Sequence, residues 1–145
     1  MKQTDEYYMK CAIAEAKEAL REDEVPIGAV IVSGDRIIAR SHNQTERLND
    51  PTAHAEMLAI TAATNSLGAK YLTDCRLYVT VEPCVMCAGA IAWSQLSAIV
   101  YGAPDEKRGY TRFAPDVLLP KIQVVSGIMA DECSTLMKDF FLKKR

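Results

Sequence analysis

The stretch from Arg76 to Tyr101 constrains this chain more than any other. Arg76 to Val81 is β-branched and apolar with no break until Pro83, a segment from about Cys84 to Ser94 reads as a helix, and Ala98-Ile99-Val100-Tyr101 is a second short apolar run. Strand, helix and strand in that order make a β-α-β unit, which pairs its strands in parallel through a right-handed crossover. The rest of the chain supplies partners for it. Thr4 to Arg21 places Met9, Ala12, Ile13, Ala16, Ala19 and Leu20 at three- and four-residue steps behind a candidate N-cap at Thr4, which predicts an amphipathic helix. Ile27 to Val32 and Arg36 to Arg40 flank a Ser33-Gly34-Asp35 turn and read as an antiparallel hairpin. A second helix is expected from Thr52 to Asn65, after the Asp50-Pro51 turn and before Gly68. Ile122 to Val125 supplies a fifth strand, and Met129, Cys133, Leu136, Met137 and Phe140 form the apolar face of a last helix. The sum is an α/β chain of three layers, α/β/α, around a mixed five-stranded sheet.

At 145 residues, 49% hydrophobic and 25% charged, the chain has room for one core, and residues 1–145 are expected to form a single domain. It shows no internal repeat, low-complexity tract or Gly/Ser linker. No run approaches the roughly 18 apolar residues of a membrane span, and Met1 to Glu6 lack a secretory apolar region, so the expected location is the cytoplasm. The net charge of −2 excludes nucleic-acid binding through a large overall positive field and leaves room for a local basic patch. Five cysteines, an odd number with Cys84 and Cys87 in a CxxC spacing, point to metal or redox chemistry in a reducing compartment.

Two short motifs carry the chemistry. His54-Ala55-Glu56 opens the second helix and Pro83-Cys84-Val85-Met86-Cys87 opens the third. Cysteines at i and i+3 in a first helical turn present two sulfurs on one side, and the helix N-terminus favours the thiolate that binds zinc. Alone, the cysteines could be small buried hydrophobes or a redox pair, and His54 and Glu56 an ordinary helix start. Together, His54, Cys84 and Cys87 make three zinc ligands, which leaves the fourth position to water and marks a catalytic centre. Such a water has a pKa of about 7, and Glu56 is the expected proton shuttle. Residues at i and i+2 do not share a helix face, so His54 must sit at an irregular first turn. Cys11, Cys75 and Cys133 read as core packing, although Cys75 or Cys133 as a fourth ligand would make the centre structural.

The pair HxE and PCxxC resembles the signature of zinc-dependent nucleobase deaminases. Within that superfamily the chain is most similar to bacterial tRNA-specific adenosine deaminases, which turn the wobble adenosine of an anticodon into inosine. The resemblance runs through Val25-Pro26-Ile27-Gly28-Ala29-Val30, Asn43, Asp50 to Glu56, Leu77 to Ala90, Ala130 to Cys133 and Asp139 to Phe141. It implies a cytidine deaminase-like fold and one zinc per subunit on His54, Cys84, Cys87 and water. It also implies Glu56 as the group that protonates the ring and serves the departing ammonia. The flipped base would be held by the Ala55 amide and the Asn43 side chain and walled by Val25 and Pro83. Asp105 and Lys107 would lie on a loop against the RNA, and Lys143-Lys144-Arg145 would add phosphate contacts. The implied partners are a tRNA anticodon stem-loop and a second subunit, in a homodimer whose RNA site spans both chains.

The chain departs from that family in the substrate region. Gly109-Tyr110-Thr111-Arg112-Phe113 stands where a small-residue segment is usual, Pro104 replaces a basic residue, and Trp93 stands where guanine deaminases of the same fold can carry Trp. Two other readings therefore stay open: a deaminase of a free base or nucleoside such as guanine or cytidine, and a structural zinc module that binds RNA without catalysis. Trp93, Phe140 and Phe141 are read as core or dimer contacts, and His42 as a surface residue.

Overall fold

The computed structural model describes residues 3–144. Helix α1 (Asp5–Arg21) starts where the side chain of Thr4 accepts the N–H of Tyr7 at 3.2 Å, and Asp5 and Glu6 in its first turn offset the helix dipole. Its i, i+3, i+4 pattern buries Tyr8, Met9, Ala12, Ile13, Ala16 and Ala19. Strands β1 (Gly28–Ser33) and β2 (Arg36–His42) pair antiparallel about a tight turn, where Gly34 takes φ +62° at no steric cost. Helix α2 (Ala55–Leu67) ends at Gly68, which adopts the left-handed conformation (φ 65°). Strand β3 (Cys75–Val81), helix α3 (Val85–Ser94) and strand β4 (Ala98–Ala103) form the expected parallel β-α-β unit. A short helix α4 (Tyr110–Phe113), strand β5 (Gln123–Ser126) and helix α5 (Ala130–Lys143) complete the chain.

The strand order is β2-β1-β3-β4-β5. β1 is antiparallel to both its neighbours, while β3, β4 and β5 are parallel, so four strands run one way and β1 runs against them. This places the C-terminal ends of β2, β3 and β4 and the N-terminal end of β1 along one rim. Two apolar clusters flank the sheet. On one face Ala55, Ala59 and Ala63 of α2 and Ala88 and Ile91 of α3 meet Ile31, Leu77, Val79 and Ile99. On the other, Tyr8, Met9, Ala12 and Ile13 of α1 and Cys133 of α5 meet Val30, Val32, Tyr78 and Val100. Parallel strands need both faces covered, and alternation along each strand supplies apolar side chains to both.

Two expectations are corrected and a third is narrowed. Helix α2 begins at Ala55 rather than Thr52, because Thr52 caps back onto Asp50, donating its N–H and hydroxyl to Oδ1 at 2.8 Å each. Trp93 is 83% exposed on α3, which removes the core reading and leaves that of a dimer contact. His42 is half-buried rather than a surface residue, held between Glu15 and Glu22 at 3.0 Å each, and these carboxylates raise its pKa against the lowering effect of burial. Cys11 is only partly covered, while Cys75 and Cys133 are buried as expected. No helix among the described residues is long and apolar enough to cross a membrane.

Helix α1 lies so close to β1 that a Cβ at Gly28 would overlap the Ala12 carbonyl and the Ala16 amide. The obstacle is main chain, which no rotamer change relieves. Gly28→Ala is therefore expected to cost about 2–3 kcal/mol. Urea denaturation checks this, and a midpoint matching that of the wild type would contradict the close approach.

Candidate active site

The rim collects three connections. After β2 comes the segment 43–54, after β3 the short link Glu82-Pro83-Cys84, and after β4 the segment 104–109. Gln44 donates to the Ala53 carbonyl at 3.0 Å and closes the first on itself, while Tyr110, just past the third, donates to the Pro83 carbonyl of the second at 2.9 Å. This is the edge at which open α/β sheets bind ligands.

His54 and Cys84 are both N-cap residues, in extended conformation with φ −74°, and neither side chain caps its own helix. That resolves the spacing problem in the sequence: His54 lies outside the regular turn, so it and Glu56 can both reach the same place. Nδ1 of His54 is 3.6 Å from Cys84 Sγ and 3.5 Å from Cys87 Sγ. Bond lengths of about 2.1 Å to nitrogen and 2.3 Å to sulfur in a tetrahedron require an N···S edge of about 3.6 Å. The residues present thus fit zinc. They are the one group of metal-ligating type among the described residues, and Cys75 and Cys133 are not in it.

The electrostatics agree with a shared proton that a metal would replace. Hydrogen bonding from Cys87, joined by His54 and opposed by burial, pulls the Cys84 thiol down to about 4. The Cys87 thiol is pushed up by its bond to Cys84 and then by burial, and His54 is raised by the same sulfur. Metal ligands must give up their protons, so a cation bound by this cluster would displace one. Glu56 stands outside the ligand group, 3% exposed, and burial pushes its carboxyl up to about 7. A carboxyl poised near neutral pH is suited to giving and taking protons.

The other expected residues lie around this centre. Ala55 is the first residue of α2, so its N–H has no intrahelical acceptor, while its carbonyl accepts the Ser41 hydroxyl at 2.7 Å. Asn43 is buried, and its backbone N–H donates to Ile27 at 3.0 Å. Pro83 is buried and Val25 half-buried beside the start of β1. Asp105 turns inward within its own loop, its Oδ1 accepting the N–H groups of Lys107 (3.1 Å) and Arg108 (3.0 Å), and Lys107 is exposed. Lys144 pairs with Asp23 at 2.8 Å, which places it beside the α1 turn, and Arg145 lies outside the described residues.

Sequence reasoning missed two buried carboxylates on this rim. Glu24, 1% exposed, accepts the N–H groups of Glu46 (3.1 Å) and Arg47 (2.7 Å) and the side-chain amide of Asn43 (3.4 Å). Glu82, 5% exposed, accepts from Asp105 and Thr111. Their partners lie 19 to 29 residues away in the chain, so spacing gives no warning. The available signal is an acidic residue in Glu24-Val25-Pro26 and Glu82-Pro83, next to a strand with both faces covered.

Comparison with known proteins follows the same lines. Residues 2–103 match the cytidine and deoxycytidylate deaminase zinc-binding region. The chain is 43% identical to the tRNA-specific adenosine deaminase of Aquifex aeolicus over 97% of its own length and 95% of that protein. It is 45% identical to the tRNA-specific adenosine deaminase of Bacillus subtilis over 97% and 91%. Its structure superposes with TM-score 0.84 and 42% identity on one solved in work on A-to-I editing by tRNA:A34 deaminases, covering 90% of this chain and 98% of that one. Guanine deaminase from Bacillus subtilis is also similar, at TM-score 0.68 and 44% identity over 70% of this chain and 66% of that one. The ligand triad, the buried Glu56 and these likenesses lead to one conclusion: the chain belongs to the zinc-binding cytidine and deoxycytidylate deaminase family, on the branch of the tRNA-specific adenosine deaminases.

Proposed function

We propose that this chain hydrolyses the wobble adenosine of a tRNA anticodon stem-loop to inosine, releasing ammonia. The observation that carries the reaction class is Glu56, a buried carboxyl beside the His54, Cys84 and Cys87 donors but not among them. A structural zinc module has no use for such a group. The substrate class is supported by the tRNA-specific relatives and by exposed Lys107, Arg108, Arg112 and Phe113 next to the triad-bearing segment, a local basic and aromatic surface on a chain of net charge −2.

In this reading His54, Cys84 and Cys87 would hold one zinc per subunit, and three protein donors would leave the fourth position to water. Zinc, when bound, supplies the Lewis acidity that activates water at neutral pH. Asn43 and the Ala55 N–H hold the extruded base, and Val25 and Pro83 wall it. Glu56 takes the proton that water loses as it adds to C6 and gives it to the ring nitrogen, then carries the proton of the new C6 hydroxyl to the amino group, which leaves as ammonia while the C6–N bond breaks and the C6=O bond forms. Asp105 shapes the loop that carries Lys107 to the RNA backbone. The whole chain serves as a single deaminase domain, its two apolar faces closing on one sheet. We further assign it a cytoplasmic location, in keeping with its unpaired cysteines and its substrate, and a homodimeric state, in keeping with exposed Val85, Met86 and Trp93 along α3.

The similarity to guanine deaminase favours one rival, deamination of a free base. Both readings meet in one assay: the purified protein is given a wobble-adenosine stem-loop beside guanine, cytidine and free adenosine, and products are followed by mass spectrometry. Inosine in the stem-loop alone is expected. Ammonia from a free base with an unedited stem-loop would overturn the RNA reading and leave the deaminase chemistry standing.

A further inference from the structure

The proposed chemistry leaves the two buried carboxylates of the rim, Glu24 and Glu82, without a task, and Glu82 is the one that stands next to the metal triad in the chain. Glu82 sits at the end of β3, two residues before Cys84, and no ion pair among the described residues involves it. A buried carboxylate is costly unless its oxygens are satisfied. Among the described residues every donor to it comes from the segment that follows β4. Oε1 accepts the Asp105 N–H at 3.1 Å, and Oε2 accepts the N–H of Thr111 at 3.0 Å and its hydroxyl at 2.7 Å. Gly109 lies so near that any Cβ there would overlap the Glu82 carboxylate. Gly109 and Cys84 also form an isolated antiparallel bridge, and the Glu82 N–H donates to the Ala103 carbonyl at 2.8 Å.

The contacts continue outward. Asp105, pinned through its N–H, turns its carboxylate to the N–H groups of Lys107 and Arg108, and the Arg112 guanidinium donates to the Glu106 carbonyl at 3.0 Å. One carboxylate therefore fixes the geometry of a segment whose exposed side chains include Lys107, Arg108 and Arg112. Thr111 belongs to the Gly109 to Phe113 stretch, and its hydroxyl is bound to Glu82.

We propose that Glu82 is a positioning residue for a polyanionic substrate: its carboxylate clamps residues 105–111 to the Cys84 end of α3 and so holds the basic side chains of that loop in register with the metal triad. The inference rests on the RNA reading for the identity of the polyanion, and its test separates the two. Three zinc-loaded variants are compared with the wild type: Glu82→Gln, which keeps the shape and removes the charge, Thr111→Val, which removes the hydroxyl, and Thr111→Ser, which restores it. In Glu82→Gln the Asp105 and Thr111 amides should exchange with solvent about tenfold faster. KM for the stem-loop should rise about tenfold in that variant and severalfold in Thr111→Val, with kcat and zinc content within about twofold of wild type and Thr111→Ser indistinguishable from it. Calorimetric titration with the stem-loop should show the same loss of affinity.

Unchanged amide exchange would overturn the clamp. Faster exchange with unchanged KM and unchanged stem-loop affinity would reduce Glu82 to a stability role and overturn the positioning. Should the wild type bind the stem-loop without editing it, the RNA-editing reading fails, and the calorimetric comparison still decides the clamp. Thr111→Val, a change at the exposed end of the same contact, carries the test if Glu82→Gln does not fold.

Discussion

Glu56→Gln should retain zinc and fold while turnover falls by about 10² to 10⁴, the usual worth of a positioned general acid and base. Gln keeps the volume of the side chain, so the buried site is neither emptied nor overfilled. It also keeps the three donor atoms, since Glu56 lies outside the ligand group. What it lacks is a proton that can leave and return near neutral pH, the property that burial gives the native carboxyl by raising it to about 7. The loss should fall on kcat rather than on KM, because proton movement belongs to the transition state and not to ground-state binding. Zinc analysis and steady-state kinetics on the same preparation check this. Activity within a few fold of wild type, at full zinc content, would remove Glu56 from the mechanism.

Cys87→Ser should abolish zinc binding and lower the melting temperature by roughly 10 °C. Cys87 is fully buried in the first turn of α3, and its sulfur lies 3.5 Å from His54 Nδ1. A hydroxyl is a poor zinc ligand, and two remaining donors do not hold the ion. Metal bound at about 1,000 times its dissociation constant contributes about 4 kcal/mol to folding, and each kcal/mol moves the melting temperature of a domain this size by about 2–4 °C. A zinc held by these residues would join residue 54 to residues 84 and 87 across α2 and β3, so its loss would also release a loop of considerable length. A Cys87→Ser protein with full zinc and an unchanged melt would exclude this ligand set. Chelation of the wild-type protein should reproduce the same shift.

Much of this architecture was legible because its signals are short-range. Thr4 as a cap, Gly34 in the hairpin turn and Gly68 at the end of α2 each act within a few residues, and each stands where the pattern predicts. The β-α-β unit was legible for the same reason, since chirality and helix length leave one arrangement. The ligand triad was legible because zinc demands particular atoms, and the two motifs supply them in two places. Strand order was not: nothing local to Gly28–Ser33 says that it inserts between β2 and β3 and reverses direction there. Nor was the short helix α4 legible, whose four residues are too few for a period. Glu24 and Glu82 were invisible for a third reason. A buried carboxylate and a solvated one are the same letter, and only the distant N–H groups that converge on it tell them apart.

The exposed Trp93 has a practical consequence. It is the chain's one tryptophan, 83% exposed on the α3 of a single subunit six residues after Cys87. Intrinsic emission excited at the red edge of the ultraviolet band therefore originates from a single known spot. Whatever molecule covers that side of α3 will blue-shift the signal and shield it from acrylamide, giving a label-free optical record of docking at the helix that bears two of the three metal donors.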